Sequence, residues 1–99
     1  MNALQLVAEP RRQEILRLVW RDEMPVGELA DRLEVSYGGV SQHLALLREA
    51  GFVTVRRDGK RRLYRANQQQ LGPLARFLES FWEEQLDRLA TLAEEAEGA

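Results

Sequence analysis

The stretch that decides the fold covers residues 36 to 65 and reads SYGGVSQHLALLREAGFVTVRRDGKRRLYR. Ser36 precedes an apolar pattern, and its hydroxyl can accept a backbone N–H at the start of a helix. Val40, Leu44 and Leu47 then recur at the spacing of one helix face. Gly51 supplies the left-handed residue that commonly follows a helix. We therefore expect a helix from about residue 37 to 50.

A basic β-hairpin is predicted directly after this helix. Residues 52–55 are aromatic and β-branched, which favours a strand, and residues 61–65 return as a second strand. Asp58-Gly59 is a strong signal for a two-residue turn, since glycine accepts positive φ. Before the long helix, residues 26–33 predict a short one. Two helices joined by a short turn form a helix-turn-helix, here at about residues 26–50, with a wing at about 52–65.

Helical patterns also occur at both ends of the chain. Residues 1–7 and 10–21 predict two helices, the second beginning at Pro10, whereas residues 22–24 predict a turn and residues 67–71 a polar connection. A last helix from residue 73 to about 96 would be roughly 36 Å long, too long for so small a body to cover. Its apolar stripe indicates packing against a second copy. The predicted dimer interface comprises Leu4, Val7, Leu74, Leu78, Phe81, Trp82, Leu86 and Leu89.

These elements together predict the fold class. It is mainly α with a small β-hairpin: one winged helix-turn-helix DNA-binding domain, residues 1–99, dimerised through its terminal helices. A chain of this length buries a modest core. Apolar surface that the core does not use is therefore expected to belong to a partner subunit.

Composition excludes several classes of function. The 99 residues include no cysteine and one histidine, which excludes disulfides, thiolate metal ligands and a multi-histidine zinc site within one chain. No phosphate-binding glycine loop, nucleophile elbow or acid–base pair is visible, so we expect no enzyme, no catalytic residue, no metal and no cofactor. No apolar run approaches the ~20 residues of a membrane span and no secretory signal is visible. We therefore expect a cytoplasmic protein with no membrane partner.

Charge is distributed unevenly along the chain. The net charge of −2 by itself argues against nucleic acid as a partner. Between residues 52 and 65, however, six basic residues accompany one acidic residue, a net charge of +5, whereas residues 71–99 carry a net charge of −5. A concentrated basic patch attracts phosphates through its local field. The expected partner is double-stranded DNA, with the acidic end of the chain held away from it.

The predicted DNA-binding residues lie at the start of the capped helix and on the hairpin. Gln42 can form paired hydrogen bonds with adenine, Tyr37 can meet a thymine methyl, and Ser41 can bond a base or a phosphate. Gly38 and the glycine after it leave two readings open. One is functional: a close approach of the backbone to DNA, or a helix start that orders on binding. The other is a loose first turn or a later start of the helix. His43 favours a structural or phosphate-contacting role over sensing. The full set is Ser36, Tyr37, Gly38, Ser41, Gln42, His43, Arg56, Arg57, Lys60, Arg61 and Arg62.

Three of these stretches resemble a known family. Residues 41–53, SQHLALLREAGFV, and residues 56–64, RRDGKRRLY, resemble the bacterial ArsR-type (arsenic-repressor) family of winged-helix regulators, and residues 8–16, AEPRRQEIL, look like that family's first long helix. The resemblance implies a homodimer, built by the first and last helices, that binds imperfect inverted repeats and represses transcription. In many members a metal releases the DNA. The family's metal-binding cysteine pair would fall at Pro25 and Gly27, so the chain looks like the metal-independent branch, with an unknown effector.

Three functions remain to be weighed. The leading one is a sequence-specific repressor that binds an imperfect inverted repeat as a homodimer. The first alternative is a metal- or small-ligand-responsive sensor of the same fold, with its site between the last helices. The second is a winged-helix protein-interaction module that does not bind DNA and uses the acidic last helix as its contact surface. Affinity for duplex DNA at low salt separates this last function from the other two.

Overall fold

Six helices and one hairpin follow one another along residues 1–98, the part of the chain that the computed structural model describes. They are α1 (Ala3–Ala8), α2 (Pro10–Leu18), α3 (Val26–Leu33), α4 (Tyr37–Glu49), β1 (Val53–Asp58), β2 (Arg61–Ala66), α5 (Gln68–Leu71) and α6 (Pro73–Gly98). The predicted fold class, mainly helical with a two-stranded antiparallel hairpin, is confirmed. None of these helices combines the length and the hydrophobicity that crossing a bilayer requires.

Helix α2 ends three residues before the predicted residue 21. Beyond Leu18, two carbonyl groups bond to other parts of the chain. The backbone N–H of Ala66 donates to the Val19 carbonyl at 2.8 Å, and the Gln68 amide donates to the Trp20 carbonyl at 3.1 Å. These two bonds join the end of α2 to the hairpin and to α5, a short helix where the sequence predicted only a polar connection.

The core lies where α2, α3 and α4 meet. The predicted inner face of α4 is confirmed, because Val40, Leu44 and Leu47 are at most 1% exposed. Leu16 and Leu29 meet them from α2 and α3 with no exposed surface. Burying side chains of this size stabilises the fold by about 1.5–3 kcal/mol each. The core thus fixes α4 at the surface with one face inward and the other in solvent.

The turn between α3 and α4 is tight and carries an unusual backbone angle. Glu34 follows α3 with φ 55° and ψ 40°, the left-handed conformation. Among residues 1–98 it is the one non-glycine residue with positive φ. Two residues later, Ser36 already caps α4. The whole connection is therefore short, as a helix-turn-helix requires.

The hairpin pairs Val53 with Ala66 and, at its outer end, Asp58 with Arg61. The connecting loop is consequently Gly59-Lys60 rather than the predicted Asp58-Gly59. Gly59 has φ 63° and stands first in the loop, where a type II′ turn places its glycine. The prediction was off by one residue because Asp58 still extends β1 and its side chain pairs with Arg61.

A second departure lies before α3. The sequence predicted a plain turn at residues 22–24, but Met24 pairs with Tyr64 as an isolated antiparallel bridge. Their backbone groups exchange two hydrogen bonds of 3.0 and 2.9 Å. The loop between α2 and α3 is thereby attached to β2, so β2 has bonded neighbours on both sides.

Helix α6 begins at Pro73, as predicted, and extends to Gly98 rather than to residue 96. Its first half packs on the core through Ala75, Leu78 and Trp82, whereas every residue from 83 to 98 is exposed. At 1.5 Å per residue the helix is about 39 Å long. The predicted overhang beyond the body of the protein is confirmed.

The predicted dimer interface requires a correction. Val7 is 1% exposed, Leu78 is fully buried and Trp82 is 9% exposed within a single protomer. Trp82 meets Trp20 edge to face, with ring centroids 4.9 Å apart. These three side chains belong to the protomer's own core: α1 buries Val7 there, and the part of α6 that carries Leu78 and Trp82 lies on the body rather than beyond it. Leu4, Leu86 and Leu89 remain 60–63% exposed, and Leu74 and Phe81 are half-buried.

Candidate nucleic-acid interface

The start of α4 is open to solvent and rich in hydrogen-bond donors. The predicted N-cap is confirmed: the Gly39 N–H donates to the Ser36 Oγ at 3.1 Å. The other N–H groups of the first turn have no partner within the helix, and the helix dipole makes this end positive. Tyr37 is 64% exposed, and Gly38 and Gln42 are also exposed. An anion such as a phosphate is therefore favoured at this end of α4.

Gly38 and Gly39 differ in the space around them. A Cβ added to Gly38 would have no heavy atom within 4 Å, whereas one added to Gly39 would lie 3.1 Å from both the Ser36 Oγ and the Val35 Cγ1. Because Gly39 has no Cβ, the Ser36 side chain has room to cap the helix. Since α4 begins at residue 37, both glycines lie inside its first turn, which excludes a later helix start as their explanation.

The wing and α4 enclose a groove on one side of the protein. It has a volume of about 380 Å³, with Tyr37 and Ser41 on the α4 wall and Lys60, Arg61 and Arg62 on the wing wall. The structure thus brings together predicted residues from two parts of the sequence. Polar side chains of the helix face cationic side chains of the wing across a space open to solvent.

Not all basic residues of the wing are available to an anion. Arg56 makes three contacts of 3.0–3.3 Å with the carboxylate of Glu23. Arg61 lies 3.6 Å from an oxygen of Asp58. Arg57, Lys60 and Arg62 make no side-chain ion pair with any residue from 1 to 98. The prediction that Arg56 contacts DNA is therefore revised, because three hydrogen bonds already engage its guanidinium, whereas the single 3.6 Å contact of Arg61 is one that a phosphate can replace.

Two roles were predicted for His43, structural or phosphate-contacting, and its ring turns toward α1 and α2. The ring Nδ1 lies 3.2 Å from Nη1 of Arg12, and a guanidinium can only donate, so Nδ1 accepts. Arg12, the one buried charged side chain among residues 1–98, also donates from Nε to the Leu6 carbonyl at 2.6 Å. The structure therefore favours a structural role for His43 over DNA contact.

Glu9 completes this cluster at the start of α2. Its Oε2 accepts from the Arg12 backbone N–H at 2.8 Å and lies 3.9 Å from His43 Nδ1. Desolvation, the largest single influence, raises the pKa of Glu9. Hydrogen bonds from the backbone N–H groups of Arg12 and Arg11 and the nearby basic side chains of His43 and Arg12 together outweigh it and lower the pKa below its usual value.

Arg48 is a candidate that the sequence interpretation missed. It is exposed on α4 and lines a second stretch of the groove, where Arg48 and Arg62 accompany one acidic residue, Glu49, beside Ser41 and Ala45. Positions 41, 45 and 48 lie on one helix face, so this spacing could have revealed it. Its guanidinium extends the cationic surface along α4, beyond the end at which Ser36 lies.

No group of three or more His, Cys, Asp or Glu side chains that could hold a metal ion is found within residues 1–98. The carboxylate of Glu79 on α6 instead accepts a hydrogen bond from the Trp20 indole at 3.0 Å. The predicted absence of a metal site stays a prediction.

Comparison with known proteins identifies the family. Residues 9–55 match the model of the bacterial regulatory proteins of the arsR family. The chain is 37% identical over 91 residues to the HTH-type transcriptional regulator Rv2034 of Mycobacterium tuberculosis, covering 92% of this chain and 85% of that protein. The chain belongs to the ArsR family. The resemblance seen in the sequence is thereby confirmed.

The chain is also similar to two further proteins. It is 43% identical over 61 residues to the transcriptional activator HlyU of Vibrio cholerae, covering 62% of this chain and 56% of HlyU, and so spans little more than half the length of that relative. Its structure matches the homodimeric winged helix-turn-helix DNA-binding domain of Mb0332 from Mycobacterium bovis with a TM-score of 0.69 at 28% identity, covering 83% of this chain and 76% of the other.

Proposed function

We propose that this ArsR-family chain is a sequence-specific, DNA-binding transcriptional repressor that acts as a homodimer on an imperfect inverted repeat. The observation that carries the proposal is the groove in which the open start of α4 and the wing cations Lys60 and Arg62, which have no ion-pair partner within residues 1–98, face the same space. A helix N-terminus enters a major groove in this family of motifs, and arginines beside it bind phosphates or a narrow minor groove. The whole chain would act as one DNA-binding domain in the cytoplasm.

The side chains divide by role. Gln42 and Tyr37 are exposed on the leading turns of α4 and would read base edges, Gln42 through paired hydrogen bonds to adenine. Ser36, Gly38 and Ser41 would bond phosphates or bases beside them. The phosphate anchors would be Arg57, Lys60, Arg61, Arg62 and the newly found Arg48. Phosphate contacts set affinity and its salt dependence, whereas base contacts set specificity.

The proposed dimer uses the exposed apolar surface of the terminal helices. Leu86, Leu89 and Leu92 are 55–63% exposed along the overhanging half of α6 and continue the stripe that its first half buries. Phe77 on α6 and Leu4 on α1 add 57% and 60% exposed side chains. A second copy would cover this surface, as the homodimeric Mb0332 domain supports. Two-fold symmetry would then present two α4 helices to half-sites about 34 Å apart.

Repression follows from occupancy alone. A dimer that fills two successive major grooves excludes other proteins from the same DNA, and no further contact is required. HlyU carries the name of an activator, so the direction of regulation needs a direct test. A reporter gene placed downstream of the selected site should be transcribed less when the protein is present. Increased transcription would contradict the proposal.

Selection of bound fragments from random duplexes with the purified protein tests DNA recognition itself. The expected product is an imperfect inverted repeat with half-sites about one helical turn apart. An enriched sequence without a two-fold repeat would contradict the dimeric mode of binding. Failure to retain any duplex, even at low salt, would favour the protein-interaction module instead.

A second candidate function is favoured by one cavity. A space of about 620 Å³ between α1, α4, α5 and the start of α6 is lined largely by apolar side chains such as Leu6, Leu46, Phe52 and Leu71. This volume is typical of small-molecule sites, so the protein could respond to an apolar ligand. A thermal-shift panel of metals and small apolar molecules tests this, because a ligand of the native state raises the melting temperature. An unchanged melting temperature throughout would contradict it.

A further inference from the structure

The two faces of the wing carry different kinds of residue. In the register of the hairpin, Arg57 opposes Arg62, and opposed residues share a face of a two-stranded sheet while neighbours along a strand alternate. Arg62 lines the groove beside Ser41. Arg57 and Arg62 therefore belong to the face that looks toward α4.

Arg56 lies on the opposite face of the hairpin. It is paired across the strands with Leu63, which is 7% exposed although it lies outside the main core cluster. The face that carries Arg56 is thus covered locally on the side away from the groove, although the long side chain of Arg61, beside the turn, still reaches the groove. A phosphate bound between α4 and the wing would meet Arg57 and Arg62 rather than Arg56.

Glu23 holds Arg56 on this back face. The carboxylate accepts from Nε at 3.0 and 3.3 Å and from Nη2 at 3.2 Å, across 33 residues of sequence. The hydrogen bond from Arg56 to Glu23 and the charge of that carboxylate raise the pKa of Arg56. The next residue, Met24, is the one that exchanges backbone hydrogen bonds with Tyr64 of β2. The loop before α3 is therefore bonded to both strands of the wing: the Glu23 side chain bonds to β1, and the Met24 backbone bonds to β2.

We infer that Glu23 and Arg56 are positioning residues that set the angle of the wing against α4, and that Arg56 is not a phosphate anchor. This inference rests on the proposed function, because the angle matters only if the groove receives DNA. Together with the Met24–Tyr64 bridge, the pair fixes the wing at two points of the same loop. The cations on the opposite face are thereby held where the groove is open.

The salt dependence of binding to a random duplex tests this inference. The slope of log Kobs against log salt falls in magnitude by about 0.9 for each phosphate that the protein no longer neutralises. Arg57→Gln, the matched control on the groove face, should show a decrease of about that size. Arg56→Gln should change the slope by much less than this, because Arg56 neutralises no phosphate. An equal decrease for the two variants would overturn the inference.

Affinity for the selected operator tests whether Glu23 positions Arg56 or competes with phosphate for it. Exposed ion pairs are weak, so Glu23→Gln and Arg56→Gln should each weaken operator binding by up to about fivefold. The double variant should be no weaker than either single one, since both remove the same pair. If Glu23 merely competed with phosphate for Arg56, Glu23→Gln would bind more tightly, and that result would also overturn the inference.

Hydrogen exchange in the free protein provides a readout that needs no DNA. The amides of Met24 and Tyr64 should lose protection by the same factor in Glu23→Gln and in Arg56→Gln, and should keep it in Arg57→Gln. Unchanged protection in the first two variants would show that the pair does not hold the wing. If the parent protein binds no duplex at all, the proposed function fails while the exchange experiment still tests the pair.

Discussion

Glu34 is the residue at which the sequence conflicts with the backbone it adopts. Its φ of 55° and ψ of 40° are angles at which glycine meets no Cβ clash. Its carboxylate also stands at the C-terminal end of α3, where the helix dipole disfavours negative charge. Both effects lower stability. The Glu34 side chain makes no ion pair with any residue from 1 to 98 that would offset them.

We expect Glu34→Gly to raise the free energy of unfolding by about 1 kcal/mol, since the left-handed conformation costs other residues roughly that much. Urea denaturation measures the change. Glu34→Ala is the matched control, because it removes the charge and keeps the strain, so it should gain less. A glycine variant no more stable than the alanine variant would show that strain is not stored here.

Gly38 offers a second test at the residue scale. An alanine there meets open space and gains helix propensity, so Gly38→Ala should raise the free energy of unfolding by up to about 1 kcal/mol. Gly39→Ala should gain less, because its Cβ would lie 3.1 Å from the cap oxygen of Ser36. Thermal or urea unfolding of both variants gives the comparison. The prediction is wrong if Gly39→Ala is the more stable of the two.

At the scale of elements, α4 and the wing should separate reading from anchoring. Gln42→Ala should reduce discrimination between the selected site and random DNA by about 1–3 kcal/mol, because it removes the paired hydrogen bonds to one base. Arg57→Ala and Arg61→Ala should weaken binding to all sequences and flatten its salt dependence. Fluorescence anisotropy with specific and random duplexes at several salt concentrations measures both. Identical effects of the two kinds of change would contradict this division.

The cluster of Glu9, Arg12 and His43, which lies where α1, α2 and α4 meet, should make the free energy of unfolding depend on pH. The folded protein lowers the pKa of Glu9, so its carboxylate stabilises the fold above the unfolded pKa of 4.5 and loses this contribution as pH falls through the lower folded value. Glu9→Gln should therefore lower the melting temperature at pH 6–7, where the carboxylate is charged. The difference from the parent should shrink below about pH 4. A difference that does not depend on pH would contradict the assignment.

At the scale of the whole molecule, the exposed stripe of α6 should control assembly. Leu89→Asp should raise the dimer dissociation constant on the order of a hundredfold, because two leucines leave the interface at about 1.5 kcal/mol each. Thr91→Asp adds the same charge off the stripe and should leave the dimer intact. Sedimentation velocity over a concentration series measures both. Equal dissociation of the two variants would show that charge alone drives the effect.

The sequence predicted the parts of this molecule that local chemistry determines. Ser36, Gly51 and Pro73 each act within a few residues of themselves, so cap, helix end and helix start could be read directly. The wing loop was misplaced by a single residue. Whether Asp58 belongs to the loop or to β1, where it pairs with Arg61, depends on the strand register, and the local sequence does not determine that register.

Interactions between distant parts of the chain could not be predicted. The bridge between Met24 and Tyr64, the pair of Glu23 with Arg56 and the bond between Arg12 and His43 each join residues more than 30 positions apart. Nothing in the local pattern distinguishes such an arginine from one that faces solvent. For the same reason the sequence assigned Arg56 and His43 to DNA, and it assigned the core side chains Val7 and Leu78 to the interface.

Every residue in the last four turns of α6, residues 83–98, is exposed in one protomer. A helical segment of that length is marginal in water on its own, so an unaccompanied chain frays there and offers its backbone to proteases. Pairing protects both copies at once. Melting should consequently shift to higher temperature as protein concentration rises, and newly made chains that stay solitary would be the first to be degraded.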